Sequence, residues 1–219
     1  MIFHVPTKYE QPFLLVAENV PLPLSNAHHF LFIQALHVLG FALLQHELMT
    51  HQQYAVANNT LKEALEQPIS PTQRTQYEQQ WSITQHFICL YGKRTREDSL
   101  PSAQLPMQLQ HLLIETLKDS HISMQVFMID DDIVMLYPLK DMAANYHDFL
   151  QTLCEELHEN IARFFELDYQ FGVSNQTPNL HYLKHAYKEA KKAALSQTPT
   201  IVTFYHFFAE YPSLKERSE

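Results

Sequence analysis

Glycine is scarce in this chain, and the scarcity narrows its chemistry at once. Three glycines occur in 219 residues, Gly40, Gly92 and Gly172. A loop that cradles phosphates needs glycine where the backbone must approach the ligand closely. Neither GxGxxG nor a Walker A loop can be written with three glycines so far apart. Cysteine is scarcer still: Cys89 and Cys154 are the two present. Each falls in an apolar stretch, where a free cysteine behaves as a small hydrophobe rather than as half of a bridge or a metal ligand. Such cysteines suit a reducing compartment. Basic charge is also short, with 15 Lys and Arg against 24 Asp and Glu for a formal net charge of −9. Because nucleic-acid affinity rests largely on basic side chains neutralising phosphates, no direct nucleic-acid binding by this chain is expected. The composition points to an acidic cytoplasmic protein.

Other absences close further classes. Met1–Val5 carries no basic n-region, so no signal peptide is expected. The most apolar run, Phe30–Leu44, is interrupted by Gln34 and His37. At about 15 residues it reads as too short and too polar to span a bilayer, so no membrane partner is expected. A G-x-S-x-G elbow is missing, and neither cysteine stands beside an activating base. The reading is a non-enzyme with no catalytic residue, no metal and no cofactor.

What the chain does have is apolar and aromatic mass, 46% and 12% of residues, ample for a packed core. The stretch Met124–Pro138, MQVFMIDDDIVMLYP, organises it. Two apolar runs, Gln125–Ile129 and Ile133–Tyr137, flank Asp130, Asp131 and Asp132. Val, Ile, Phe and Tyr fit a pleated surface, and a short acidic break between such runs reads as a tight hairpin. Neither run alternates apolar with polar, so both faces of these strands should be covered. The hairpin is expected at the centre of the domain.

The surrounding periodicity gives the rest. Strands are predicted at Phe13–Ala17, His86–Tyr91, Tyr169–Val173 and Thr200–Tyr205. Helices are predicted at Gln104–Lys118, Asp141–Phe165 and Leu180–Leu195 from apolar residues at three-and-four spacing. The order is β-α-β-β-α-β with an added α-β, the split βαβ or ferredoxin-like arrangement of an α+β fold, with helices on one face of an antiparallel sheet. The expected division is residues 1–67 for an N-terminal strand and long helix, 68–82 for a linker, 83–209 for the α/β domain and 210–219 for a polar tail. Residues 92–106 read as an exposed loop.

The long helix should run from Ala27 to about Leu65, capped by Ser25 or Asn26, with an interruption near Asn58-Asn59. Its first half is apolar on nearly all sides, and such a helix must be buried on all sides. One small strand offers little cover, so a second copy of the chain is expected, with Phe30, Ile33, His37, Phe41 and Leu44 at a dimer interface.

Four polar constellations are weaker. His46-Glu47-Leu48-Met49-Thr50-His51 misses the zinc-protease spacing by one residue, which turns the second histidine about 140° round the helix from the first. Five of the fourteen histidines (His28, His29, His37, His46, His51) lie on or beside the long helix, where packing and solvation account for them more simply than a pH or metal response. Asp130–Asp132 reads as a solvated turn before it reads as a ligand site, and those three are the only candidates for binding a small molecule or nucleotide. Lys184, His185, Lys188, Lys191 and Lys192 give the last helix a basic side, which the helix dipole alone favours.

Two segments carry a resemblance. Residues 112–141, LLIETLKDSHISMQVFMIDDDIVMLYPLKD, and residues 171–195, FGVSNQTPNLHYLKHAYKEAKKAAL, resemble the GGDEF-like middle domain of PucR/CdaR-type bacterial transcriptional regulators. The second segment has that family's strand ending in Gly172-Val173 and a helix with the core Tyr187-Lys188-Glu189-Ala190. Upstream, Phe13–Glu18 and the apolar helix resemble the last strand and exit helix of a GAF-like sensor. The resemblance implies a dimeric signal-relay piece, with a helix-turn-helix expected in the parent protein but not before Glu219. Active diguanylate cyclases use two hairpin glycines for GTP and carboxylates there and on the first strand for two metal ions. Here Ile129 and Asp130 stand at the glycine positions, and Phe87–Tyr91 offers no carboxylate. The resemblance therefore implies a degenerate, non-catalytic domain. A ligand sensor without turnover is the alternative, and residual cyclase-like chemistry comes third.

Overall fold

The computed structural model describes residues 2–5, 13–16, 25–95, 105–139, 146–196 and 200–205. The expected tail 210–219 and most of the expected loop 92–106 lie outside these. The chain divides into two compact units, Met1–Val56 and Ala57–Glu219.

In the first unit, strand β1 (Ile2–Val5) pairs antiparallel with β2 (Phe13–Val16), Ile2 opposite Val16. The predicted strand at Phe13 is present, and its partner β1 falls in a stretch for which the sequence predicts no strand. Helix α1 (Asn26–Glu66) starts in this unit. Ser25 caps it: its Oγ accepts from His28 N at 3.3 Å and its carbonyl from His29 N at 3.0 Å. The 41 residues run on without a break, about 60 Å of helix. The interruption expected at Asn58-Asn59 is absent, because the Asn58 amide bonds to distant groups instead of competing for its own backbone. This continuity also revises the bilayer argument. By length and composition alone His28–Glu66 is able to cross a membrane, a test that core helices of soluble proteins also pass.

Within the first unit α1 is covered on one side only. Leu36 and Gly40 are buried, and Leu43, Glu47, Thr50 and Tyr54 are half-buried. Phe30, Leu31, Val38, Phe41, Leu48, Met49 and Val56 are each more than half exposed.

The second unit is a five-stranded sheet in the order β4-β5-β3-β6-β7. Its strands are β3 (Phe87–Arg94), β4 (Gln125–Ile129), β5 (Asp132–Pro138), β6 (Tyr169–Val173) and β7 (Val202–Phe204). All pairings are antiparallel except β6 with β7. Its helices are α2 (Pro71–Gln80), α3 (Leu105–Asp119), α4 (Tyr146–Phe165) and α5 (Leu183–Ala194), the last entered through a 3₁₀ turn at Leu180–Tyr182. The fold is α+β, as expected.

Two expectations are corrected here. The hairpin β4–β5 is not central: β3 is the middle strand and β4 an edge. Nor do helices cover one face alone. Strand β3 is apolar on both parities, so both faces demand cover. Ile88 and Leu90 meet Leu109, Leu113, Leu150, Cys154 and Leu157 of α3 and α4. Phe87, Cys89 and Tyr91 meet Leu61, Ala64 and Leu65 at the end of α1, Trp81, and Leu183, Ala186 and Ala190 of α5. The absence of alternation in the hairpin strands has this same cause.

The stretch expected as a linker, 68–82, contains helix α2. Pro68 to Pro71 does end α1, but Ser70 then opens a capping box, its Oγ accepting from Gln73 N and its N–H donating to the Gln73 side chain. Tyr77 and Trp81 stack at 4.9 Å between ring centroids, and Trp81 meets Phe127 edge-on. These rings make α2 part of the domain.

Candidate functional site at the hairpin

The acidic turn is built by backbone geometry first. Ile129 pairs with Asp132, leaving Asp130 and Asp131 as a two-residue loop. Asp130 has φ of 56°, the left-handed region that tight hairpins demand at this place and that aspartate tolerates better than most side chains. Asp130 points into solvent. The carbonyl of Asp131 accepts from the Tyr169 hydroxyl at 2.8 Å.

Asp132 is different. One carboxylate oxygen accepts from the Tyr91 hydroxyl, and the other lies 3.1 Å from Lys93 Nζ. Tyr91 stands edge-on to Tyr187 at 5.5 Å, and Lys191 Nζ lies 5.3 Å from the Tyr91 ring centroid and 5.7 Å from that of Tyr187. Burial, then the bond to Asp132, holds the Tyr91 hydroxyl in its protonated form far above its ordinary range. Burial and the same carboxylate push Tyr187 up to about 12. The three aspartates thus share a turn but not a site. Among the described residues no group of three His, Cys, Asp or Glu side chains is placed to hold a metal ion. The partners of Asp132 come from β3, some forty positions upstream, the groups around Tyr91 come from α5, and nothing local in the sequence joins them.

The outer edge of β4 carries a second arrangement. Met128 N donates to Asn58 Oδ1 at 3.0 Å, and Gln110 Nε2 donates to the Val126 carbonyl at 2.8 Å. The two amides also pair with each other, Asn58 Nδ2 to Gln110 Oε1 at 3.0 Å and Gln110 Nε2 to Asn58 Oδ1 at 3.2 Å. Open edge groups invite pairing with another chain, and this couple occupies them. It also ties α1 and α3 to the strand that leads into the acidic turn. The sequence signal was a polar residue on the covered side of α1, between Ala57 and Leu61.

The Tyr187-Lys188-Glu189-Ala190 core has a structural explanation. Glu189 is 8% exposed, and its carboxylate accepts from Asn175 N and Nδ2 at 3.1 and 3.2 Å and lies 3.1 Å from His185 Nε2. It holds the loop after β6 against α5. A Cβ at position 172 would stand 2.1 Å from the Ala190 carbonyl and 2.3 Å from Ala194 N. Gly172 is therefore what lets α5 lie directly on the sheet.

The other predicted residues are placed as follows. Phe30, Ile33, His37 and Phe41 are exposed on α1, while Leu44 is half-buried. His51 lies 3.4 Å from Glu47 one turn away on the same helix. Cys89 and Cys154 are free and fully buried, and burial pushes both thiols well above their usual range.

A strand ending in Gly172-Val173, an α5 seated on it through small residues and a hairpin with a two-residue acidic turn define a GGDEF-like architecture. The family model for the GGDEF-like domain matches residues 73–195, from within α2 to the end of α5, and the chain belongs to that family. No curated protein matches the chain.

Proposed function

We propose that this chain is a non-catalytic signal-relay module of a bacterial transcriptional regulator of the PucR/CdaR type. In this reading it works in the cytoplasm as a homodimer and passes a sensor's state through α1 to a helix-turn-helix region elsewhere in the parent protein. The observation that carries the reading is Asn58. It sits on an unbroken helix and bonds the backbone of β4 and the side chain of Gln110. A rotation or shift of α1 must break those bonds or move β4 with it, so the helix and the hairpin have coupled states.

The absence of turnover is supported by the state of Asp132. Its two oxygens are engaged by Tyr91 and Lys93, whereas a Mg²⁺-nucleotide needs free carboxylate oxygens beside its phosphates. Two free, buried cysteines suit a reducing compartment.

The test has two parts. The purified chain with GTP and Mg²⁺ or Mn²⁺ is expected to form no cyclic dinucleotide above a protein-free blank. Amide exchange followed by mass spectrometry is expected to speed up at Val126–Ile129 in Asn58→Ala. Product formation would sink the non-catalytic reading, and unchanged exchange would sink the relay.

A further inference from the structure

We propose that the uncovered face of α1 is one half of a parallel, in-register, two-stranded coiled coil whose other half is a second copy of this chain. The inference rests on the dimer reading above and gives it a seam, an orientation and a register.

The seam is read from spacing and exposure together. Leu31, Gln34, Val38, Phe41, Gln45, Leu48, Gln52 and Ala55 follow one another at alternating steps of three and four residues. That is the 3.5-residue repeat of a heptad's a and d positions. All eight are exposed. The positions that fall on the opposite side of such a heptad, Leu36, Leu43 and Thr50, are buried or half-buried. The chain covers the back of the helix itself and leaves the seam open. Phe30, Met49 and Val56 flank it and widen the apolar strip.

This seam differs from the face expected from sequence. Phe41 is common to both, but Leu44 is half-buried, and Ile33 falls outside the strip.

Charge favours a second copy as the occupant. Between Glu18 and Lys62 the only Asp, Glu, Lys or Arg is Glu47, which lies off the seam. Two identical helices side by side therefore meet no like-charge repulsion, whereas a partner chosen by charge would find nothing to pair with. Area agrees. Seven large apolar side chains more than half exposed present on the order of 100 Å² each, so two copies would remove roughly 1,400 Å² from water, within the range of specific interfaces.

The glutamines set the orientation. Gln45 and Gln52 occupy a positions, where a polar side chain is tolerated if it finds its own counterpart across the axis. In a parallel, in-register pair each amide faces its twin and the two hydrogen-bond. A pair shifted by one heptad would match Gln45 with Gln52 but set the other Gln45 against Val38. An antiparallel pair would match Gln45 with Gln34 but leave Gln52 without a counterpart. Each strands an amide that the in-register parallel pair satisfies.

The experiment uses the full chain at micromolar concentration, with sedimentation and mild oxidation of single substitutions. Cys89 and Cys154 are buried and do not compete. The wild type is expected to sediment as a dimer, and Phe41→Glu with Leu48→Glu as a monomer whose Trp81 fluorescence is unchanged. Gln45→Cys is expected to form a disulfide-linked dimer roughly tenfold or more faster than Gln53→Cys, because a paired seam holds two thiols at high effective concentration. Gln53 is equally exposed but lies off the seam. A dimer in which both cysteines link at the same slow rate overturns this seam and leaves dimerisation standing. A monomer overturns seam and dimer alike, and co-sedimentation with phosphatidylcholine–phosphatidylglycerol vesicles would then assign the face to a membrane. The relay is judged separately, by exchange in Asn58→Ala.

Discussion

The sheet domain and the part of α1 before Ala57 solve the burial problem in opposite ways. In the sheet domain both faces are closed by the chain's own helices, and the exposed large apolar side chains among its described residues are the scattered Phe149, Phe164, Tyr182, Leu195 and Ile201. On α1 before Ala57 there are nine: Phe30, Leu31, Ile33, Val38, Leu39, Phe41, Leu48, Met49 and Val56. Single exposed hydrophobics are ordinary, but nine on one helix, seven of them along or beside one strip, are more than scatter. The difference teaches where each part gets its stability. One is a self-sufficient fold, and the other is a helix whose apolar content exceeds what its own unit covers.

That contrast can be broken at several points. The largest effect should come from Gly172→Ala, because the new methyl would meet backbone atoms of α5 that cannot turn aside. Its cost should be roughly 3 kcal/mol or more, read as a lower urea midpoint through Trp81, the only tryptophan in the chain, which lies in the sheet domain. Glu189→Gln should cost roughly 1–3 kcal/mol, since an amide nitrogen would then face one of the two Asn175 donors. A midpoint equal to that of the wild type would show that the loop does not need the carboxylate.

The next effect is one of pH. Tyr91, Tyr169 and Tyr187 are all held protonated above their ordinary value near 10, mainly by burial. Folding therefore favours the neutral phenols, and their contribution is intact below pH 10 and lost as the pH climbs through the folded-state values. The urea midpoint should be level from pH 7 to about 8, then decline gently as the thiols of Cys89 and Cys154, also raised by burial, ionise in the unfolded chain. Above about pH 10 it should fall steeply, less steeply in Tyr91→Phe. The smallest effect should come from Phe30→Ser with Met49→Ser. On the α1 strip these should change the unfolding of the sheet domain by less than about 0.5 kcal/mol. A larger loss would mean that the strip contributes to the fold of a single chain.

Much of the fold was legible because its signals are local. Gln125–Ile129 and Tyr169–Val173 have the boundaries that their apolar runs predict, and α3, α4 and α5 follow their amphipathic spacing. Strand order was not legible, since pairing of β3 with β5 and β6 joins segments some forty to eighty residues apart. Helix α2 escaped because Tyr77 is the only apolar residue within it, although Ser70, Pro71 and Gln73 spelled its start.

At the site, the sequence located Asp130–Asp132 but not what holds them. Sequence pattern places Tyr91 and Lys93 only in a strand and a loop. It marks Asn58 as a break in the helix, whereas the side chain fastens the helix to β4. A polar side chain on the covered stripe of a helix has a partner elsewhere, and only the tertiary structure names it.

The central claim is that the state of α1 is felt at the hairpin, and one amide reports on it directly. Met128 N–H is bonded to Asn58, so its hydrogen-exchange rate should be measured in the wild-type chain and in Phe41→Glu with Leu48→Glu, whose substitutions lie in the other unit. The account predicts severalfold faster exchange at Met128 in the variant, with α4 amides unchanged. Identical Met128 rates in the two proteins would contradict it.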